Sequence, residues 1–164
     1  MSKKPIIVFE GIECSGKSLH SNNVSKYLKK KGIKFIKIRE PGGNKNSEKI
    51  RKLILNNKSN FNKVTDLLLY LAARNENIEN TIKQNIGKKI ILIDRFIDST
   101  VAYQHFGMNI DIKFINMVNQ FLIKKIKVNF TFLHLVSKKN IQLRLSERKK
   151  LNRYDKFKML FYKK

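Results

Sequence analysis

Short apolar runs along the chain predict four β-strands, at residues 5–10, 34–38, 89–94 and 130–136. The first run is continuously apolar and rich in β-branched residues, which is typical of a strand buried on both faces. The second run alternates in character, and the last two are again mostly apolar. The first run therefore predicts a central strand of a parallel sheet.

Helical periodicity predicts that helices alternate with these strands, at residues 18–31, 63 to about 85, 111–124 and 138–148. The longest helix is indicated by apolar residues that mostly recur at i, i+3, i+4 and i+7, namely Val64, Leu67, Leu68, Leu71, Ile78 and Ile82. Gly32 is expected to end the first helix. The alternation predicts a three-layer α/β fold, a parallel sheet with helices on both faces.

Length and composition favour one domain. The 164 residues, 41% of them hydrophobic, can bury one core but not two full ones, so we predict a single domain spanning residues 1–164. No apolar run reaches the roughly 18 residues that a membrane helix needs. Residues 1–4 lead directly into a strand-like run, not into a signal peptide. Cys14 is the single cysteine, which suits a reducing compartment, so we expect a cytoplasmic protein with no membrane partner.

The charge of the chain raises the question of a polyanionic partner. The formal net charge is +24, from 36 Lys and Arg against 12 Asp and Glu, and such a field attracts nucleic acids. The basic residues are nevertheless scattered along the whole chain among many Asn and Ile residues. This pattern favours a compositional bias over a dedicated groove, so a nucleic-acid partner is not expected.

The segment between the first strand and the first helix carries a phosphate-binding motif. Gly11-Ile-Glu-Cys-Ser-Gly-Lys-Ser18 fits G-x-x-x-x-G-K-[ST], and its strand and helix neighbours are the context that this motif requires. In such P-loops the backbone N–H groups surround phosphate, the lysine reaches the β and γ oxygens, and the hydroxyl can hold Mg²⁺. The sequence predicts a P-loop NTPase fold and an ATP or GTP site formed by Gly11, Ile12, Glu13, Cys14, Ser15, Gly16, Lys17 and Ser18.

Two residue pairs are candidates for a second substrate site. Asp94 and Arg95 follow the third predicted strand, so they should emerge at the carboxyl end of the sheet and face the P-loop. Asp94 can join Ser18 in the Mg²⁺ shell, and Arg95 can bind a phosphate with two nitrogens. Tyr70 and Arg74 lie one helical turn apart, so a ring and a guanidinium share one face. Such a pair can stack on a base and hold its monophosphate.

Several ordered motifs together resemble the thymidylate kinase family. They are Phe-Glu-Gly-Ile-Glu-Cys-Ser-Gly-Lys-Ser around the P-loop, Arg-Glu-Pro-Gly-Gly at 39–43, Leu-Leu-Tyr-Leu-Ala-Ala-Arg at 68–74, and Asp-Arg-Phe-Ile-Asp-Ser-Thr-Val-Ala-Tyr-Gln at 94–104. The resemblance extends from Ile6 to Asp155 in the family's order. It implies a Mg²⁺-dependent transfer of the ATP γ-phosphate to dTMP, giving dTDP and ADP for dTTP synthesis. It also implies a homodimer packed through helices.

The resemblance also assigns an acceptor site, whose dTMP-binding positions would be Glu10, Arg51, Tyr70, Arg74, Arg95, Thr100, Tyr103 and Gln104. It implies that Tyr70 stacks on thymine and that the arginines hold the acceptor phosphate. Thr100 and Gln104 would contact the base, and Tyr103 would lie against the deoxyribose. Glu10 would lie near the acceptor sugar or the metal.

The segment at about 144–155 resembles the lid of these kinases, and it contains Arg144, Arg148 and Arg153. Phosphoryl transfer spreads negative charge over the moving group, so catalysis depends on positioned cations. Some members of the family carry an arginine in the P-loop, whereas this P-loop has none, so the lid is expected to supply it. The predicted catalytic residues are Lys17, Arg95, Arg148 and Arg153, and the predicted metal ligands are Ser18 and Asp94.

The sequence departs from the family at its end and leaves alternatives open. The family continues past the lid with another strand and helix, so we expect that the chain is truncated and that apolar surface is exposed at 130–136. One alternative is a kinase for another monophosphate. A second is a catalytically impaired fragment or a P-loop ATPase stimulated by nucleic acid. His20, His105 and His134 are far apart in the sequence, so Mg²⁺ is the only metal expected.

Overall fold

A four-stranded parallel sheet in the order β2–β3–β1–β4 forms the centre of the protein. The computed structural model describes residues 4–124, 126–148 and 151–156. Its strands are β1 (Ile6–Glu10), β2 (Phe35–Arg39), β3 (Ile90–Asp94) and β4 (Phe130–Leu133). All four predicted strands are confirmed, and β4 is shorter than the apolar run that predicted it. The first strand is central, as its apolar character indicates.

The helices are α1 (Lys17–Lys30), α2 (Lys45–Leu55), α3 (Lys63–Asn77), α4 (Lys83–Asn85), α5 (Ile97–Thr100), α6 (Ile112–Ile123) and α7 (Lys138–Ser146). Two π-helical segments, Ile78–Ile82 and Val101–Gly107, continue α3 and α5, and a 3₁₀ turn covers Tyr154–Lys156. The long helix predicted from residue 63 to about 85 is confirmed as one helical run with a π-helical segment inside it. Of its periodic residues, Val64 and Leu68 are exposed, whereas the other four are buried.

Sequence analysis missed two helical stretches, α2 and the run from α5 to Gly107. α2 begins at Asn44, whose side chain accepts hydrogen bonds from the backbone N–H groups of Asn46 and Ser47. Such a cap, followed by Glu48 in the first turn, is a helix-start signal that was present in the sequence. Ile50, Leu53 and Ile54 lie at i, i+3 and i+4, but this apolar pattern covers only the second half of α2, which is too short a stretch to predict a helix.

The two faces of the sheet pack against different helices. On one face the strands pack against Ile78 and Ile82 of the long helical run and against Leu122 of α6. On the other face Leu28 of α1 packs against Phe9 and the neighbouring strand residues. Helices therefore lie on both faces of the sheet, and the predicted three-layer α/β fold is confirmed.

The edge strand β4 exposes apolar side chains. Phe130, Phe132 and Leu133 are 56%, 52% and 65% exposed, and Leu135 beyond the strand is exposed as well. The expectation of exposed apolar surface at 130–136 is therefore confirmed. In the part of the chain that the structure describes, no helix combines the length and the apolar character needed to cross a membrane.

One buried guanidinium joins the elements that meet at the carboxyl end of the sheet. Arg74 of α3 is 2% exposed, and its Nε donates to Glu40 Oε2 at 2.8 Å. Its Nη1 donates to Asn119 of α6 at 2.6 Å, and its Nη2 donates to the Phe96 carbonyl and to Thr100 Oγ1 at 2.9 and 2.8 Å. Burial raises the pKa of Glu40, against the opposing effect of Arg74. The pair therefore depends on both partners being present.

Replacing Arg74 by Met should lower the free energy of unfolding by about 3–5 kcal/mol, because Glu40 would be left as an unpaired buried charge. Urea denaturation measures the change. Arg39→Met is the matched control, because its ion pair with Glu48 is solvent-exposed and contributes less than about 1 kcal/mol. Equal losses in both variants would contradict the role given to the buried pair.

Candidate active site

The P-loop connects the end of β1 to the start of α1 in a conformation that needs its glycines. Gly11 has φ 141°, and a Cβ there would lie 2.6 Å from the His134 carbonyl oxygen. Gly16, the residue before α1, has φ 98°. Cys14 has φ 57°, a left-handed conformation that costs a residue with a side chain about 1–2 kcal/mol. Burial raises the pKa of the Cys14 thiol, so the thiol is protonated and weakly nucleophilic at neutral pH.

Lys17 is held inside this loop. Its Nζ donates to the Ile12 carbonyl at 2.6 Å and to Ser15 Oγ at 3.4 Å. Burial, and then the positive charge of Arg95, lower the pKa of Lys17 to about 8. Both effects disfavour its charged form, so an anion placed beside the ammonium would be bound strongly.

Ser18 and Asp94 bring the start of α1 to the end of β3. Ser18 Oγ donates to Asp94 Oδ2 at 2.8 Å. A hydroxyl and a carboxylate are the oxygen ligands that Mg²⁺ accepts when substrate phosphates and water complete its octahedral shell. In residues 4–124, 126–148 and 151–156 there is no group of three or more His, Cys, Asp or Glu that could hold a metal alone. The donor set therefore fits a metal that arrives with a phosphate ligand.

Arg95 turns back from β3 toward the P-loop. Its backbone has φ 69°, and its Nη1 donates to the Gly11 carbonyl at 2.9 Å. Its Nη2 donates to Glu13 Oε1 at 2.8 Å, and the guanidinium lies 5.2 Å from the centre of the Tyr103 ring. Burial opposes the charge, yet the surrounding Tyr103, Glu13 and further carboxylates raise the pKa of Arg95. A permanent cation is thus fixed beside the phosphate loop.

A cavity of about 740 Å³ lies between the P-loop, α3 and the α5 region. Its lining includes most of the predicted site, namely Glu13, Cys14, Ser15, Gly16, Lys17, Ser18, Arg51, Tyr70, Arg74, Asp94, Arg95, Thr100, Tyr103, Gln104 and Arg148. The structure therefore brings residues from both predicted substrate sites into one cavity. Its volume lies within the usual range of small-molecule and cofactor sites.

The π-helical segment after α5 supplies the polar wall of this cavity. Tyr103 OH donates to Glu13 Oε2. Gln104 is 1% exposed, and its Nε2 has no hydrogen-bond partner within the described residues. A buried amide N–H₂ without a partner is unfavourable unless a ligand accepts from it. Wide π-helical turns are frequent at functional sites, where they place side chains that a regular helix could not.

Four predicted site residues do not line the cavity: Glu10, Gly11, Ile12 and Arg153. Glu10 is buried, and its carboxylate accepts from the Phe96 backbone N–H at 2.7 Å and from Ser99 Oγ at 2.5 Å, so it fixes the turn between β3 and α5. Gly11 lies beneath the loop against His134. Arg153 pairs with Asp66 at the start of α3.

Sequence analysis missed several residues that line the cavity, among them His20, Glu40, Pro41, Ser99, Asn152 and Tyr154. Glu40 and Pro41 belong to the motif at 39–43, for which no role was predicted. Tyr154 directly follows Arg153 of the predicted lid, and this neighbourhood could have indicated that Tyr154 lies at the site. His20 and His134, far apart in the sequence, stack with ring centres 4.8 Å apart. They have no third metal ligand among the described residues.

Comparison with known proteins gives a consistent result. A family model described as thymidylate kinase matches residues 9–164. The thymidylate kinase of Thermosipho africanus (strain TCF52B) is 41% identical over 159 residues, which cover 96% of this chain and 79% of that protein. The thymidylate kinase of Wolbachia sp. subsp. Brugia malayi (strain TRS) is 34% identical over 161 residues, covering 96% of this chain and 76% of that protein.

A solved structure agrees with these relatives. The crystal structure of thymidylate kinase from Ehrlichia chaffeensis has a TM-score of 0.77 and 35% sequence identity. The match covers 86% of this chain and 77% of that one. Together with a P-loop, a strand-end Asp-Arg pair and one cavity that joins them, these matches show that the chain belongs to the thymidylate kinase family.

Proposed function

We propose that the chain transfers the γ-phosphate of ATP to dTMP, forming ADP and dTDP. The observation that carries this proposal is that Lys17 of the P-loop and Arg95 of the acceptor motif line the same cavity. Membership of the kinase family does not favour the alternative, a P-loop ATPase stimulated by nucleic acid. We further propose that residues 1–164 act as one domain in the cytoplasm, with a lid at about 144–155.

On the donor side, residues 11–18 hold the ATP phosphates through their backbone N–H groups and the start of α1. Lys17 then exchanges its contact with the Ile12 carbonyl for the β and γ oxygens. Ser18 and Asp94 would hold Mg²⁺, which would neutralise negative charge on the ATP phosphates.

On the acceptor side, the cavity offers a ring, amide and hydroxyl groups, and guanidinium groups in separate places. Tyr70 supplies the ring that stacks on thymine, and Gln104 supplies an amide N–H₂ that donates to a base carbonyl. Tyr103 lies against the deoxyribose, and Thr100, whose hydroxyl accepts from Arg74, lies near the base. The phosphate is held by Arg95, Arg74 and Arg51, and the last donates to the Pro41 carbonyl at 2.5 Å.

The cations around the cavity stabilise the transition state. As the phosphoryl group moves, negative charge develops on its oxygens, and Lys17, Arg95 and Arg148 are placed to meet it. Arg144 extends the set by donating to the Cys14 carbonyl at 2.7 Å. Arg153 was predicted to act there too, and this stays a prediction. Its guanidinium is near the Phe61 and Tyr154 rings, at 5.8 and 5.2 Å.

A homodimer is supported by exposed apolar side chains on two neighbouring helices. α3 and α6 pack together through residues such as Leu67 and Ile115. On their outer surfaces Leu68 of α3 and Met117 and Phe121 of α6 are about half or more exposed. We propose that a second copy covers these side chains, because exposed apolar patches on paired helices are typical of interfaces.

The kinase assignment predicts ADP release that depends on dTMP. Lys17→Ala and Arg95→Ala should each lower kcat by roughly 100-fold or more, because each removes a cation from the transferring phosphate. Lys29→Ala, an exposed lysine of the same helix α1, is the matched control and should match wild type. Turnover that ignores every monophosphate but rises with DNA or RNA would instead select the ATPase alternative.

Gln104→Leu should raise KM for dTMP roughly tenfold with little change in KM for ATP, because one hydrogen bond to the base is lost. Steady-state kinetics with each substrate varied in turn measures both constants. The control is Gln84→Leu, which makes the same chemical change at an exposed site on α4. An unchanged KM for dTMP would remove Gln104 from the acceptor site.

Met117→Glu should convert a dimer into a monomer, because it places a charge within the apolar surface of α6. Sedimentation velocity at several concentrations measures the oligomeric state. Tyr27→Glu is the control, since Tyr27 is similarly exposed but belongs to α1, which packs on the other face of the sheet. A wild-type protein that sediments as a monomer would reject the proposed dimer.

A further inference from the structure

A buried carboxylate outside the cavity holds Tyr154, which lines the cavity, and the neighbouring Arg153. Asp66 lies in the first turn of α3 and is 1% exposed. Its Oδ1 accepts from Arg153 Nη2, and its Oδ2 accepts from the Tyr154 hydroxyl. Both oxygens are therefore used by two consecutive residues of the segment 151–156.

Burying the carboxylate of Asp66 is unfavourable unless its charge is compensated. A buried charge is tolerated only when opposite charge and hydrogen bonds replace the lost water, and here Arg153 and Tyr154 provide both. The start of α3 adds favourable positive potential. Burial by itself lowers the pKa of Arg153, but the hydrogen bond to Asp66 and the charges of Asp66, Tyr154 and Tyr70 together raise it. The segment 151–156 is thus fixed to α3 by a charged contact as well as by the packing of Tyr154.

This contact places a ring at the acceptor end of the cavity. Tyr154 is 3% exposed and packs with Ile54 and Tyr103. Its ring meets Tyr70 edge-on, with centres 5.8 Å apart, and lies 6.0 Å from the Tyr103 ring. Tyr154 therefore supports the two aromatic rings that we place against the base and the sugar.

The same segment also positions a catalytic cation. Asp155, next to Tyr154, is buried and accepts from Arg148 Nη1. It also accepts from the Asn152 backbone N–H at 2.9 Å, which fixes the carboxylate within the segment. Arg148 lines the cavity from there. A displacement of residues 151–156 would therefore move Tyr154 and Arg148 together.

We infer that Asp66 is a positioning residue for the kinase reaction: it anchors the segment 151–156 and so sets the acceptor wall at Tyr154 and the cation at Arg148. This inference rests on the proposed function for its catalytic consequence. Asp66 does not line the cavity, so it acts only through the residues that it holds. Arg153 would then serve to attach the segment 151–156 to α3 through its ion pair with Asp66.

The test compares Asp66→Asn with Glu79→Gln, which likewise replaces a carboxylate by an amide but at an exposed position of the same helical run. Asp66→Asn should raise KM for dTMP roughly tenfold and lower kcat several-fold, while KM for ATP stays within about twofold, since the P-loop is untouched. Asp66→Asn should also speed tryptic cleavage of the chain after Arg153, which mass spectrometry measures. In wild type, added dTMP should slow that cleavage. Glu79→Gln should behave as wild type in every measurement.

A second variant keeps the inference testable if Asp66→Asn fails to fold. Tyr154→Phe keeps the ring and removes the hydroxyl that donates to Asp66 and is also hydrogen-bonded to Tyr70. It should raise KM for dTMP by a smaller factor, roughly threefold to tenfold. In the double variant the two effects should be less than additive, because both single changes break the same contact.

The possible outcomes distinguish failure of the Asp66 inference from failure of the proposed kinase function. If wild type shows no turnover with dTMP, the proposed function fails, and the cleavage rates of wild type and Asp66→Asn without nucleotide then judge the anchor alone. If Asp66→Asn melts at the wild-type temperature and keeps both the wild-type KM for dTMP and the wild-type cleavage rate, the inference is overturned. The same result for Tyr154→Phe overturns it when Asp66→Asn is unfolded.

Discussion

The arrangement of the active site depends on the burial of Arg74. One guanidinium, with four hydrogen bonds, ties α3 to the loop after β2, the turn after β3, and α6. Each of these elements also carries or adjoins cavity residues, so their relative positions are fixed by the same group. A buried cation can do this because its planar fork of donors satisfies several acceptors at once, whereas an apolar side chain would fix no directions.

The carboxylates of this strongly basic chain are concentrated where cations must be held. Among the described residues, the ion pairs Glu40–Arg74, Glu13–Arg95, Asp155–Arg148 and Asp66–Arg153 all lie in or beside the cavity. With 12 acids against 36 bases, these pairs set which basic side chains have a defined position. Most of the other lysines that the structure describes are exposed, which is consistent with a compositional bias.

The P-loop and the acceptor region form one electrostatic unit. Glu13 belongs to the P-loop, yet its two oxygens bind Arg95 and Tyr103 of the acceptor motif. Burial and the charge of Arg95 lower the pKa of Lys17 to about 8, so a bound anion would stabilise its charged form. Through Glu13, the P-loop is held in a fixed position relative to the residues that follow β3.

The sequence by itself determined the sheet, most helices and the P-loop, because these follow from local periodicity and from a contiguous motif. The sequence also indicated four residues that line the cavity, Asp94, Arg95, Tyr70 and Gln104, because they lie in motifs that follow the family's order along the chain. Helix α2 and the π-helical segment Val101–Gly107 were not evident, because their apolar residues form only short patterns. The segment Ile78–Ile82 was predicted as part of the long helix, but its π-helical winding was not.

Only the tertiary structure decided which polar side chains meet. Asp66 and Arg153 are distant in the sequence, and nothing local to either indicates the other, so their pairing appears only when α3 and the segment 151–156 come together. The same holds for Glu10, whose carboxylate accepts hydrogen bonds from Phe96 and Ser99 after β3. Long-range pairing of buried charges depends on the packing of whole elements, whereas helices, strands and a P-loop depend on neighbouring residues.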